Sequence, residues 1–240
     1  MTANHKKPAI TGTQSKAADL YAIRMLGIPS LTLMENASAA AAECIMSEHP
    51  ARGKVLVCCG VGNNGADGIC IGRILKEHGY EVTLYICGDE KKATEEFRAQ
   101  KAAFAKACGV PVPEGEGPED PLFTALFTPF LHDTILPDCD VLVDAVFGIG
   151  LHRPVEGLYR EFIAEMVCVE NDLVAAVDIP SGIDSDTGEV MGLAVTADLT
   201  VTFGRTKTGL IRGAGKDYAG RVVVKDIGIP REAYEEALKG

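Results

Sequence analysis

Three loops hold most of the side chains in this sequence that can do chemistry, and each follows a run of apolar residues. The first is Gly60-Val61-Gly62-Asn63-Asn64-Gly65-Ala66-Asp67-Gly68. Its Gly60-x-Gly62-x-x-Gly65 spacing suits a turn that brings backbone amides up to a phosphate at a helix N-terminus. The pattern alone is common, and no clear ribose-binding acid stands about 20 residues further on; Asp89 is the nearest. Two amides and a carboxylate in one turn also offer several oxygen ligands. A solvated turn held by Asx hydrogen bonds would use the same residue types. The second loop is Val143-Asp144-Ala145-Val146-Phe147-Gly148-Ile149-Gly150-Leu151-His152-Arg153-Pro154-Val155. Asp144 closes an apolar run, and a carboxylate placed there must be paired or hold a cation. The glycines expose backbone amides, and Arg153 can meet a phosphate. A capping aspartate and a surface arginine are the plainer alternatives. The third loop, Val177 to Gly188, places Asp178 at another strand end, where it suits a general acid or base. A structural carboxylate bonded to loop amides is the alternative. Ser181 follows in Pro-Ser-Gly rather than Gly-x-Ser-x-Gly, with no evident histidine partner, which argues against a serine hydrolase. A fourth segment, Thr202 to Leu210, carries Lys207, which can bind phosphate, orient the site or be a solvated lysine.

The elements around these loops alternate. Helical spacing predicts helices over 13–26, with Thr13 as cap, and over 30–46. Continuous apolar runs at 54–59, 140–144 and 173–179 read as strands buried on both faces. Further strands are expected at 81–87, 110–112, 198–203 and 221–226. Helices are expected up to His78, over 93–108 and over 159–171, with a helical stretch at 121–132 broken near Pro129 and a loop at 113–121. Strand and helix in alternation imply a mostly parallel sheet covered on both faces, with ligands at the strands' carboxyl ends.

Composition narrows the function classes. Asp plus Glu number 34 against 23 Lys plus Arg, a net charge of −11. That balance disfavours nucleic-acid binding through bulk charge, yet leaves room for a small phosphorylated ligand held by loop amides. No apolar run approaches the ~18 residues of a membrane span, and the N-terminus lacks a signal-peptide core. The eight cysteines form no Cys-x-x-Cys pair, so they read as reduced, mostly buried residues of a cytoplasmic protein. The five histidines lack zinc spacing.

The loops taken together resemble the YjeF N-terminal domain family, whose enzymes are NAD(P)H-hydrate epimerases. The matching segments are LMENAS at 33–38, CGVGNNGADG at 59–68, VDAVFGIGLHRPV at 143–155, VDIPSGIDSDTG at 177–188, TVTFGRTKTGL at 200–210 and VVVKDIGIP at 222–230. The resemblance implies an α/β fold, a Rossmann-like three-layer αβα sandwich with a mostly parallel central sheet, often dimeric. It implies interconversion of the R and S epimers of NADH or NADPH hydrated at C6 of the nicotinamide ring, a repair of damaged cofactor. The functional partner is then the NAD(P)H-hydrate dehydratase, which accepts the S form. Hydrated nucleotide would be bound by Asn63, Asn64, Gly65, Ala66 and Asp67, by Gly148, Ile149, Gly150, Leu151, His152, Arg153 and Pro154, and by Tyr159 and Asp178. A potassium ion would be held by Asn64, Asp144 and Ser181, and Asp178 would move protons. Ala66 departs from the family's usual glycine. The chain is expected to be one domain over 1–240, with residues 1–10 a flexible tail and no dehydratase domain. Two other readings remain. A catalytically silent binding or scaffold module of the same family would be expected to lack Asp178 or the Asn63-Asn64 loop. An ordinary NAD(P)-dependent dehydrogenase would need the missing ribose acid.

Overall fold

The computed structural model describes residues 8–112 and 121–239. Most of the expected loop at 113–121 and residues 1–7 of the expected tail therefore lie outside the described residues. Seven strands form one sheet: β1 Lys54–Cys59, β2 Glu81–Ile86, β3 Thr128–Pro129, β4 Val141–Ala145, β5 Leu173–Val177, β6 Leu199–Phe203 and β7 Arg221–Lys225. Their order is β3-β2-β1-β4-β5-β6-β7, and every pairing between them is parallel. The helices are α1 Gly12–Arg24, α2 Ser30–Glu48, α3 Asn63–Glu77, α4 Glu95–Ala107, α5 Pro121–Ala125, α6 Gly157–Cys168, α7 Gly215–Tyr218 and α8 Arg231–Ala237.

Strand alternation explains the layers. Val55, Val57 and Cys59 of β1 point to one face, where they share a core with Ala41 of α2, Ile69 of α3 and Phe97 of α4. Leu56 and Cys58 point to the other face and pack with Phe162, Ile163 and Met166 of α6. Successive side chains of a strand leave opposite faces, so the apolar runs 55–59 of β1 and 141–143 of β4 are what a doubly covered sheet requires. The expected Rossmann-like αβα sandwich is the observed fold.

The strand order reverses between β1 and β4. The chain leaves β1 towards β2 and β3 on one side and reaches β4 to β7 on the other. In open α/β sheets a ligand binds in the crevice at this switch point, and the loops after β1, β4 and β5 all open there.

Some local expectations are corrected. Thr11, not Thr13, caps α1, with its hydroxyl accepting from Gln14 N at 3.1 Å while Gln14 Oε1 accepts from Thr11 N. Residues 110–112 form no strand; Pro111 has no N–H to give a ladder. The stretch 121–132 is a short helix followed by the two-residue edge strand β3, where a proline is tolerated. Ile10 was expected in a flexible tail. It is buried instead, its N–H donating to Thr206 O and its carbonyl accepting from Thr208 N. Helix α8 carried no expectation from the sequence.

Candidate active site

The first loop is built by close approach. Gly60 lies against the Val146 carbonyl and Gly65 against the Gly60 carbonyl, so a Cβ at either position would overlap a backbone oxygen. The two loops flanking the switch point thereby come into contact. Gly62 faces open space and precedes α3, whose first residues are Asn63 and Asn64. The N–H groups of a helix's first turn lack internal acceptors, and here that turn borders a cavity of about 520 Å³.

The cavity gathers much of what the sequence singled out. Asn63, Asn64 and Asp67 line it with Gly148, Ile149, Gly150, Leu151, Tyr159 and Asp178. A Cβ on Gly148 would stand 3.1 Å from Asn64 Oδ1, so the first and second loops touch here too. Asn64 Nδ2 is buried without a hydrogen-bond partner. The Tyr159 ring packs on Phe147 with centroids 4.8 Å apart. Gly65 and Ala66 stand behind the lining, both buried. The Ala66 methyl joins the core beside Ile69, and its N–H bonds to Gly62 O as an ordinary helical residue. The departure from the family's glycine thus adds a methyl to the core and none to the cavity. His152, Arg153 and Pro154 are exposed and do not line the cavity.

Asp178 follows β5 with φ +68°. Few non-glycine residues adopt this left-handed conformation, aspartate more readily than most. Such strain persists where the surroundings enforce it. They do so here: Asp178 Oδ1 accepts from Thr202 Oγ1 at 3.0 Å, from Phe203 N at 3.2 Å and from Lys207 Nζ. Lys207 is only 1% exposed and also donates to Phe203 O at 3.0 Å. Of the three roles open to Lys207 in the sequence, orienting the site is the one its position serves. A solvated lysine is contradicted by its burial, and its ammonium is committed to Asp178 rather than free for phosphate.

Beneath the second loop Asp144 is fully buried. Ser181 Oγ donates to Asp144 Oδ1 at 2.5 Å, and Ser181 N donates to Oδ2 at 2.7 Å. Burial pushes the Asp144 carboxyl up to about 6 despite these bonds. Phe147 N donates to Ser181 Oγ at 2.8 Å, tying the second and third loops together.

Sequence reasoning missed one whole wall. Ser15, Lys16, Asp19, Leu20 and Ile23 of α1 line the cavity, as do Leu33 and Met34 of α2. Burial pushes the Asp19 carboxyl up to about 6, eased by the Lys207 ammonium and reinforced by the Asp178 carboxylate. Asp67 is raised well above the usual carboxylate range, first by burial and then by Asp178 and Asp19. The available signal was Asp19 among several other polar residues of α1, which is too little to separate a site residue from a solvated one.

The sheet order and the polar crevice define a doubly wound α/β protein with its site at the switch point. The chain belongs to the family described as YjeF-related protein N-terminus, whose model matches residues 30–209. It is similar to the NAD(P)H-hydrate epimerase of Limosilactobacillus fermentum, 44% identical over 91% of this chain and 96% of that protein. It is similar as well to those of Weissella koreensis, at 38% over 95% of each chain, and Levilactobacillus brevis, at 37% over 92% and 94%. Among solved structures, the crystal structure of yeast ynu0 (YNL200c) superposes with a TM-score of 0.72 at 20% identity. That likeness covers 96% of this chain and 93% of the yeast chain and bears on the fold.

Proposed function

We propose that this protein is an isomerase that interconverts the R and S epimers of C6-hydrated NADH and NADPH. Several relatives named NAD(P)H-hydrate epimerase match over nearly their full length. The observation that carries the reading is Asp178, held at the cavity wall in a left-handed conformation by Lys207, Thr202 and Phe203 N. A fixed carboxylate in a crevice is the equipment for moving a proton at a bound ring. The pyrophosphate would lie against the α3 N-terminus and the amides of the second loop. The nicotinamide end would then reach Asp178. Both features that a silent scaffold module would be expected to lose, Asp178 and the Asn63-Asn64 loop, stand on the cavity wall.

A potassium ion held by Asn64, Asp144 and Ser181 fits the same site. Asp144 is a fully buried carboxylate whose hydrogen-bond partners are the neutral Ser181 and Val146, and Asn64 offers a side-chain amide close by the second loop. Amide, carboxylate and hydroxyl oxygens suit a hard cation. Bound there, the ion would offset phosphate charge and stiffen the junction of the three loops. Asp144→Ala is expected to abolish the dependence of turnover on potassium.

Among the described residues no helix is long and apolar enough to cross a membrane. The eight cysteines are all unpaired, which suits the reducing cytoplasm we assign. We further infer a homodimer working beside an NAD(P)H-hydrate dehydratase, on the strength of the family resemblance. The test is an assay of R/S interconversion with the pure chain and hydrated NADPH in potassium buffer. Acceleration over the spontaneous rate supports the reading, and its absence favours the binding module.

A further inference from the structure

Asp19 belongs to none of the polar loops. It lies on α1, before the stretch of 30–209 that the family model matches. Even so, α1 supplies one side of the cavity, and Asp19 shares that cavity with Asp67 of α3, Asp178 after β5 and Lys207 after β6.

Three carboxyl groups here surround one buried ammonium. Lys207 commits that ammonium to Asp178 Oδ1 and Phe203 O. Lys16, on the α1 side of the cavity, is exposed to solvent. Like charges crowded in a low-dielectric site cannot all ionise, so a proton must stay on a carboxyl other than Asp178. Ser38 Oγ donates to the Asp67 main-chain carbonyl at 3.3 Å. Asp19 has no hydrogen-bond partner among the described residues and is open to the cavity. The charged and titratable groups facing Asp19 are Asp67, Asp178, Lys207 and, from α8, Tyr234.

We propose that Asp19 is a second catalytic residue, the acid that complements Asp178 as base. The inference rests on the epimerase reading. Epimerising C6 by ring opening requires a base at the hydroxyl and an acid at N1, the group that leaves C6. In the ring-opening route, Asp178 takes the C6 hydroxyl proton and a C6 carbonyl forms. The C6–N1 bond breaks, its electron pair passes to N1, and Asp19 gives N1 a proton. Rotation about C5–C6 turns the aldehyde over. The ring then closes on the other face, with N1 returning its proton to Asp19 and Asp178 returning its proton to the oxygen. No redox partner is needed and every proton is accounted for. A carboxyl raised to about 6 can give and regain a proton near neutral pH, the property a general acid needs.

The test follows R/S interconversion of hydrated NADPH by the full chain and three variants. Asp19→Asn is expected to lower kcat by about 100-fold or more, with KM within about threefold of the parent. Asp19→Ala is expected to recover at least about tenfold on addition of formate, a small carboxylic acid that can enter the space left. Folding of each variant is checked by circular dichroism. A folded Asp19→Asn with kcat within about threefold of the parent overturns the inference while leaving the epimerase reading intact. Activity lost in Asp19→Ala and restored neither by formate nor in Asp19→Glu marks a structural role and also overturns it. A parent chain that fails to accelerate interconversion overturns both readings.

Discussion

Asp178 and Lys207 form the ion pair on which the site depends. Both are buried, and breaking a buried pair leaves an uncompensated charge that costs about 3–5 kcal/mol. Lys207→Met is therefore expected to lose about that much stability in urea unfolding, and to lose turnover with it. Asp19 gives a prediction of opposite sign. Its carboxyl titrates near 6 in the folded chain, above the ordinary 3.8. Between those values the folded state holds more protons than the unfolded one, so stability falls as pH rises through that window and stays lower above it. Asp19→Asn cannot ionise. It should be more stable than the parent by about 1–3 kcal/mol at pH 7, with the difference vanishing below about pH 4. Unfolding midpoints of parent and variant at the two pH values check this. A residue kept purely for structure would show the reverse at pH 7. Asp178 was visible in the sequence because it closes an apolar run and opens a polar loop. Lys207 was visible only as a lysine in a turn. Its burial depends on residues from β5, β6 and the segment around Ile10 meeting at one place, which no local pattern encodes.

Among the elements, the turn from β1 into α3 is the most exacting. Gly65 and Gly62 belong to the same glycine pattern but do different work. A methyl at Gly65 would overlap the Gly60 carbonyl, whereas Gly62 has no atom within 4 Å of its would-be Cβ. Gly65→Ala is expected to lose about 2 kcal/mol or more through backbone displacement. Gly62→Ala should unfold at nearly the parent's temperature yet bind hydrated nucleotide more weakly, because its methyl would enter the space of the ligand. Thermal melts and equilibrium binding separate the two. Strand positions were legible because β1, β4 and β5 are buried on both faces and so read as near-continuous apolar runs, interrupted in β4 only by Asp144 near its carboxyl end. Helix ends were less legible. Thr11 rather than Thr13 caps α1 because Gln14, three residues on, completes a reciprocal pair with it, whereas Lys16 stands three residues after Thr13. The short β3 draws its pairing from β2 alone, a tertiary cause that its own residues do not announce.

At the scale of the whole molecule, a net charge of −11 must coexist with an anionic substrate. Three of the acids, Asp19, Asp67 and Asp178, face the cavity itself, and Asp144 lies just beneath it. The structure reconciles these charges by neutralising them locally. Lys207 pairs with Asp178, burial raises the Asp19 and Asp67 carboxyls above the usual carboxylate range, and the α3 N-terminus borders the cavity with its first-turn amides. The sequence conveyed three of the polar loops as a set because their order along the chain matches their order at the sheet edge. It did not convey the α1 wall, whose contribution is a matter of how the first helix packs over the finished crevice. The measurement that bears most directly on this account follows R/S interconversion by NMR or chromatography, for the parent and for Asp178→Asn, with hydrated NADPH in potassium buffer. The account predicts rapid interconversion by the parent, and a loss of about 100-fold or more in the variant while nucleotide binding persists. Near-parental turnover in Asp178→Asn, or no acceleration by the parent, would contradict it.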